Sequence, residues 1–295
     1  MIKIYDRKNK TLMEEKVVGG KLLELLYGKV YGKPFLYFVR RKFFSKMYGR
    51  LMDTKRSKKM IRNFIQEHQI DMDEALEDIS SYRTFNEFFA RKLKPEARPF
   101  DSDPRKFCSP SDSRLLVFED ITADEVIQVK GMTYSLKELI KNEKVASEYE
   151  GGTVMVFRLN PLDYHRFHFV DDGIAYPARN IDGQYYSVNP VALKVIPRVY
   201  VENRRSITKF ESRNFGTILY VEVGATNVGT IIQTYTESGL VEKGSEQGYF
   251  KFGGSTVILF LKKGQVKVSS DILEASASGI ETRVLCGETI GVRPN

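Results

Sequence analysis

The sequence sets a serine behind two glycines, Phe252-Gly253-Gly254-Ser255-Thr256, at the head of the apolar run Val257-Ile258-Leu259-Phe260. Glycine permits backbone conformations that a Cβ resists, so the Ser255 hydroxyl can reach the preceding carbonyl, that of Gly254. The chemistry this offers is attack by the chain on its own backbone. A Gly-Gly bulge inside a strand is the competing reading of the same spacing. Attack needs a base, and the 295 residues hold three histidines. Two of them, His165 and His168, fall within Tyr164-His165-Arg166-Phe167-His168. Histidine exchanges protons near neutral pH, so the pair points to proton chemistry. A metal site would need further ligands, with Asp163, Asp171 and Asp172 nearby, and is not expected from His-x-x-His alone. Asp112, in Ser109-Pro110-Ser111-Asp112-Ser113, is the carboxylate that can orient an imidazole and stabilise its protonated form. An Asx turn leading into a strand is its structural alternative.

These residues must be carried by a frame, and two textures divide the chain. Residues from about 21 to 66 read as helical, with Leu36, Val39, Phe43 and Met47 spaced by three and four and Arg40, Arg41, Lys42, Lys46 and Arg50 between them. Thr84 and Glu87 form a capping-box pattern for a helix through about Arg91, and Ser135 and Glu138 repeat it for a helix over Leu136 to Asn142. From Phe107 onward the chain turns to short β-rich runs at Arg114 to Phe118, Thr153 to Leu159, Ile196 to Val201, Thr217 to Val223, Val228 to Thr234 and Phe250 to Leu261. The expected fold class is α+β. A helical, basic region over residues 1–100 precedes a β-rich catalytic domain over 101–295, a mainly antiparallel β-sandwich or partly closed barrel.

Charge follows the same division. The net charge of +8 conceals 18 Lys and Arg against 6 Asp and Glu in residues 1–70, which leaves the remainder acidic. A basic helix bearing Phe and Leu suits an anionic membrane surface, while no zinc-finger spacing or aromatic RNA-reading motif points to nucleic acid. No run approaches the length of a membrane-spanning helix, and Lys3, Asp6, Arg7 and Lys8 argue against a secretory signal. Cys108 and Cys286 read as isolated buried thiols.

Taken together, Thr84 to Phe89, the Ser109 to Asp112 stretch, Lys130 to Leu136, Tyr164 to His168, Val221 to Gly229 and Phe252 to Thr256 resemble the phosphatidylserine decarboxylase proenzyme family, over nearly the whole chain from about Thr84. Ser113 replaces the usual glycine, and Val170 a common proline.

The resemblance implies a maturation triad of Asp112, His168 and Ser255, with cleavage between Gly254 and Ser255 into a β chain of residues 1–254 and an α chain of residues 255–295. It implies that Ser255 becomes a covalent pyruvoyl group, the site of Schiff-base formation, with no metal and no pyridoxal phosphate. His165 is the residue implied for decarboxylation. The implied partners are phosphatidylserine, an anionic phospholipid membrane, the protein's own two chains and a second copy in a homodimer. The implied location is peripheral, at the cytoplasmic face of the cell membrane. The alternatives are a serine hydrolase acting on an external ester or peptide, which needs no internal break, and a non-catalytic basic membrane-binding protein.

Overall fold

The computed structural model describes residues 2–15, 19–28, 32–122, 135–196, 198–225, 231–236, 238–253 and 255–294. A hairpin of β1 (Ile2–Asp6) and β2 (Thr11–Glu15) is followed by α1 (Gly20–Gly28), α2 (Lys33–Val39), α3 (Lys42–Met52), α4 (Lys59–His68) and α5 (Phe85–Phe89). Then come β3 (Lys106–Cys108), β4 (Ser113–Phe118), α6 (Leu136–Ile140), α7 (Glu143–Ser147), β5 (Thr153–Leu159), β6 (Arg166–His168), β7 (Gly173–Ala175) and β8 (Arg179–Ile181). The chain continues through α8 (Pro190–Leu193), α9 (Val199–Glu202), β9 (Arg205–Ser212), β10 (Gly216–Gly224), β11 (Ile231–Gln233), β12 (Gly239–Val241) and β13 (Glu246–Phe250). It closes with β14 (Ser255–Leu261), β15 (Lys267–Val268), α10 (Ser270–Ala277), β16 (Glu281–Val284) and β17 (Thr289–Val292).

The α+β expectation holds, built on an open 11-stranded sheet of order β12-β7-β9-β10-β14-β5-β4-β16-β1-β2, with β8 also on β9. Its pairings are antiparallel except β1 with β16. Two three-stranded sheets, β11-β13-β6 and β15-β17-β3, accompany it.

Every residue of β5 and of β14 is buried, because both faces of the large sheet are covered. Val154, Val156, Val221, Ile258 and Phe260 belong to one core, together with Leu26, Leu36 and the short helices α6 to α9. Met155, Phe157, Leu159, Val257 and Leu259 alternate with them into a second core. Two covered faces explain why these strands read as unbroken apolar runs rather than alternating ones.

The N-terminal hairpin joins this sheet, so residues 2–15 lie with the strands rather than with the helices. Ile196 to Val201, expected as a strand, instead enters α9, where Val199 and Tyr200 pack into the first core. A short apolar run does not distinguish a buried strand from a buried helical turn. The continuous stripe expected from Leu36 to Met47 is divided as well: Leu36 is in the core, whereas Phe43 and Met47 on α3 are exposed. Helices α3 to α5 form a third cluster around Met52, Ile61, Phe85, Phe88 and Phe89, with Phe252 packed against it.

Candidate active site

Ser255 opens β14, paired with Gly224 of β10 on one side and Leu159 of β5 on the other. Two flanking strands fix its backbone. Its side chain is fully buried, yet Oγ has no hydrogen-bond partner. Gly253, two residues before it, has φ of 140°, a conformation that favours glycine. Gly254, named with Ser255 as the cleavage site, lies outside the described residues.

Helix α5 holds the segment leading to Ser255. Thr84 caps it by accepting from the Glu87 amide at 3.1 Å, and the Glu87 carboxylate accepts from the Arg83 amide. This is the expected capping box shifted by one residue on its return bond. The cap orients Asn86, whose Oδ1 accepts from the Phe252 amide at 2.9 Å and whose Nδ2 donates to Asp53 at 2.9 Å. Phe89 completes the contact, 5.0 Å from the Phe252 ring and 3.9 Å from the His165 ring.

His165 is fully buried, and its Nδ1–H donates to the carbonyl of Asp163 at 2.9 Å. That bond leaves Nε2 as the ring's acceptor, and Nε2 has no partner. Burial pushes the imidazole pKa down to about 3, with the nearby Arg91 charge adding to the effect. His165 is therefore neutral at physiological pH. The loop that carries it is anchored through Asp163, whose carboxylate pairs with Arg114 at 3.0 Å. Arg114 reaches Glu15 of the N-terminal hairpin at 2.5 Å, and Arg158 links Glu15 to Glu281.

His168 is held differently. Nδ1 donates to the Gly244 carbonyl at 2.9 Å and Nε2 accepts from the Tyr164 hydroxyl at 3.1 Å. Burial lowers its pKa and raises that of Tyr164, so a neutral imidazole faces a neutral phenol. Asp112 is buried close by, and the His168 amide donates to the carbonyl of Pro110 in the Asp112 loop at 2.9 Å. The Asp112 carboxylate accepts from Arg98 Nε and Nη2, both at 2.8 Å, and from the Cys286 amide at 2.8 Å. Arg98 also holds Glu74 at 2.9 Å.

The structure thus places Asp112, His168, His165 and Ser255 on adjoining segments without a hydrogen bond between any two of them. In this conformation Gly244, rather than Asp112, orients His168. Both cysteines are free and buried, and Cys286 takes part through its backbone amide. Asn86, Phe89, Arg98 and Tyr164 are the residues whose contacts sequence reasoning missed. The capping box was the one signal that pointed near them. The Lys130 to Leu136 motif falls mostly, and Thr226 to Gly229 wholly, outside the described residues.

A family model described as phosphatidylserine decarboxylase matches residues 85–292. The phosphatidylserine decarboxylase proenzyme of Clostridium perfringens strain SM101 is 53% identical over 292 residues, 99% of each chain. That of Clostridium botulinum strain Alaska E43 is 51% identical over 294 residues, again 99% of each. The proenzyme of Ruminiclostridium cellulolyticum is 49% identical over 292 residues, covering 99% of this chain and 97% of its own.

Proposed function

The chain belongs to the phosphatidylserine decarboxylase family, and from that membership we propose that it cuts itself ahead of residue 255 and makes its reactive carbonyl there. The enzyme is a carboxy-lyase that converts phosphatidylserine to phosphatidylethanolamine and CO2.

The observation that carries the assignment of Ser255 is its side chain: a fully buried hydroxyl without a partner, on a backbone fixed by two strands. A buried hydroxyl is normally hydrogen-bonded, and of the six among the described residues that are not, Ser255 Oγ is the one that directly follows the glycine pair. Its loss also breaks no hydrogen bond, which suits a residue that is to become a pyruvoyl group. Ser255 Oγ attacks the Gly254 carbonyl, the amide C–N bond gives way to an ester, and the Ser255 nitrogen is left as an amine. Loss of the Ser255 Cα proton then expels Gly254 as a carboxylate, and hydrolysis releases the nitrogen as ammonia.

His168 is the base in this reading. With Nδ1–H on Gly244, its lone pair is at Nε2, and Tyr164 must yield that atom before it can take the Ser255 proton. Asp112 stabilises the imidazolium by its charge, held in place by Arg98. A pyruvoyl group at residue 255 supplies an electrophilic carbonyl that accepts the electron pair left behind when CO2 departs. His165, next to that carbonyl in the reading, is neutral at rest. An entering substrate carboxylate favours its protonated form, which can then deliver a proton to Cα.

Helix α3 supports a peripheral site on the cytoplasmic face of the membrane. Phe43, Met47 and Leu51 stand four residues apart and are 78%, 50% and 52% exposed. Lys42, Lys46 and Arg50 run beside them, an apolar stripe edged with charge that fits an anionic interface.

The deciding experiment is the intact mass of purified protein after borohydride reduction. Chains of 254 and 41 residues are expected, the shorter with a reduced N-terminal ketone, while Ser255→Ala stays whole. Turnover by an uncut chain with an ordinary serine at 255 would overturn the reading.

A further inference from the structure

Beside α5 lies a cavity of about 580 Å³, bounded by Tyr82, Asn86, Arg91, Arg166, Tyr249 and Lys251 among others. Five of its residues are basic and three acidic. Most of the basic ones are engaged: Lys251 with Asp53 at 3.0 Å, Arg166 with Glu246 at 2.6 Å, and Arg83 with Glu87 at 3.9 Å.

Arg91 is different. It is only 6% exposed, its Nε has no partner, and among the described residues it makes no ion pair. Its guanidinium carbon lies 5.2 Å from the centre of the Phe88 ring. The other deeply buried arginines are satisfied from within the protein: Arg114 and Arg158 by carboxylates, Arg205 by the carbonyls of Glu138, Leu139, Val201 and Asn203. A desolvated guanidinium requires compensation, and here, among the described residues, it has the Phe88 ring and the more distant charges of Asp112 and Asp163 but no ion pair. Lys92, exposed at the cavity wall, is likewise without a carboxylate.

We propose that this cavity binds an anionic phosphoryl group, with Arg91 as its principal ligand and Lys92 as a second cation at the wall. Guanidinium donors match phosphoryl oxygens in geometry, and the volume accommodates a headgroup rather than a lone carboxylate. Resting on the decarboxylase reading, the group is the phosphodiester of the substrate headgroup. Arg91 lines the cavity, and its charge is also felt at His165, where it helps hold the imidazole neutral.

The test uses processed enzyme carrying Arg91→Met, Arg91→Lys or Lys92→Ala. Substrates are phosphatidylserine in mixed micelles and an O-alkylserine that lacks phosphate, and inorganic phosphate is the binding probe. For Arg91→Met, KM for phosphatidylserine should rise about 10-fold or more while kcat stays within about 3-fold, and O-alkylserine turnover should change little. Inorganic phosphate should compete with phosphatidylserine and raise the melting temperature of the wild type, with both effects lost in Arg91→Met. Thermal stabilisation that depends on Arg91, without a KM effect, would support the site with free phosphate as its ligand. Should Arg91→Met fail to fold, Arg91→Lys and Lys92→Ala carry the same comparisons with smaller shifts.

The proposal is overturned if none of the variants alters KM or the response to phosphate. It is also overturned if Arg91 variants shift the kcat pH profile equally for both substrates and leave KM for phosphatidylserine and the response to phosphate unchanged, since that places the role of Arg91 at His165 alone. Wild-type enzyme that turns over neither substrate would defeat the decarboxylase reading, while the phosphate melting shift would still judge the cavity.

Discussion

The rings of Phe89 and His165 lie with centroids 3.9 Å apart and planes inclined by 37°. One is on α5 and the other 76 residues later, in the loop before β6, so a helix outside the large sheet governs how much water reaches the imidazole. Phe89→Leu should admit water, raise the His165 pKa from about 3 toward its ordinary value, and cost about 1–2 kcal/mol of stability. Because His165 acts in its protonated form, the alkaline limb of kcat/KM would then move to higher pH, visible in profiles between about pH 4.5 and 7. Superimposable profiles for the two proteins would refute the coupling.

In the proposed cleavage, Ser255 needs the His168 Nε2 lone pair that Tyr164 occupies. Because the phenol occupies His168 Nε2, Tyr164→Phe should speed self-cleavage by a few-fold, while His168→Ala blocks it and His165→Ala permits cutting but not decarboxylation. Time-resolved mass spectrometry of freshly translated protein separates the three. A Tyr164→Phe chain that never cuts would mean the phenol takes part in the chemistry.

Arg98 holds Asp112 and Glu74 together. Arg98→Met leaves the Asp112 carboxylate buried with only the Cys286 amide, a change expected to cost about 3–5 kcal/mol and to slow cleavage. The urea midpoint of the uncut Ser255→Ala background measures the stability term. A loss under about 1 kcal/mol would show that Asp112 needs no such anchor.

Glu222, fully buried on β10, accepts from Gln233 at 3.0 Å and Gln247 at 2.8 Å. Burial pushes its pKa up to about 8, so the folded chain keeps a proton that the unfolded chain releases above the ordinary carboxylate range. Stability should therefore fall as pH climbs from about 4.5 to 8 and level off beyond, because the native state binds the extra proton in that window. In the Ser255→Ala background, Glu222→Gln should flatten this decline. Parallel stability curves would assign the slope to other groups.

On α3, neutralising Lys42, Lys46 and Arg50 together should weaken binding to anionic vesicles on the order of 100-fold, at about 1 kcal/mol for each charge. These residues are better targets than Arg40, whose guanidinium rests on the rings of Tyr37 and Tyr186. Equal sedimentation of wild-type and neutralised protein with the vesicles at physiological salt would exclude α3 as the contact.

What could be read from the sequence was what depends on neighbours along the chain. Thr153 to Leu159 is a strand with those same ends, and Thr84 caps its helix, because burial pattern and capping are local properties. Ser255 and the two histidines stand out as candidates by residue type and spacing. Partners distant in sequence did not: the carbonyl of Gly244 lies 76 residues from His168, and nothing in the Asp112 stretch announces Arg98 or the Cys286 amide. Leu36 and Phe43 shared one apolar periodicity, yet packing buried the first and left the second in solvent, since period alone does not say what a face meets.

Under the proposed cut ahead of residue 255, the position of β14 between β10 and β5, and of β16 between β4 and β1, has a lasting effect. The 41-residue fragment is then threaded through the sheet at two separate places, and the pieces stay together by pairing and packing instead of covalent linkage. Assembly must come first and scission second, so maturation runs in one direction. Melting the finished enzyme should be irreversible even though its uncut precursor recovers, because the connection that guided both insertions no longer exists.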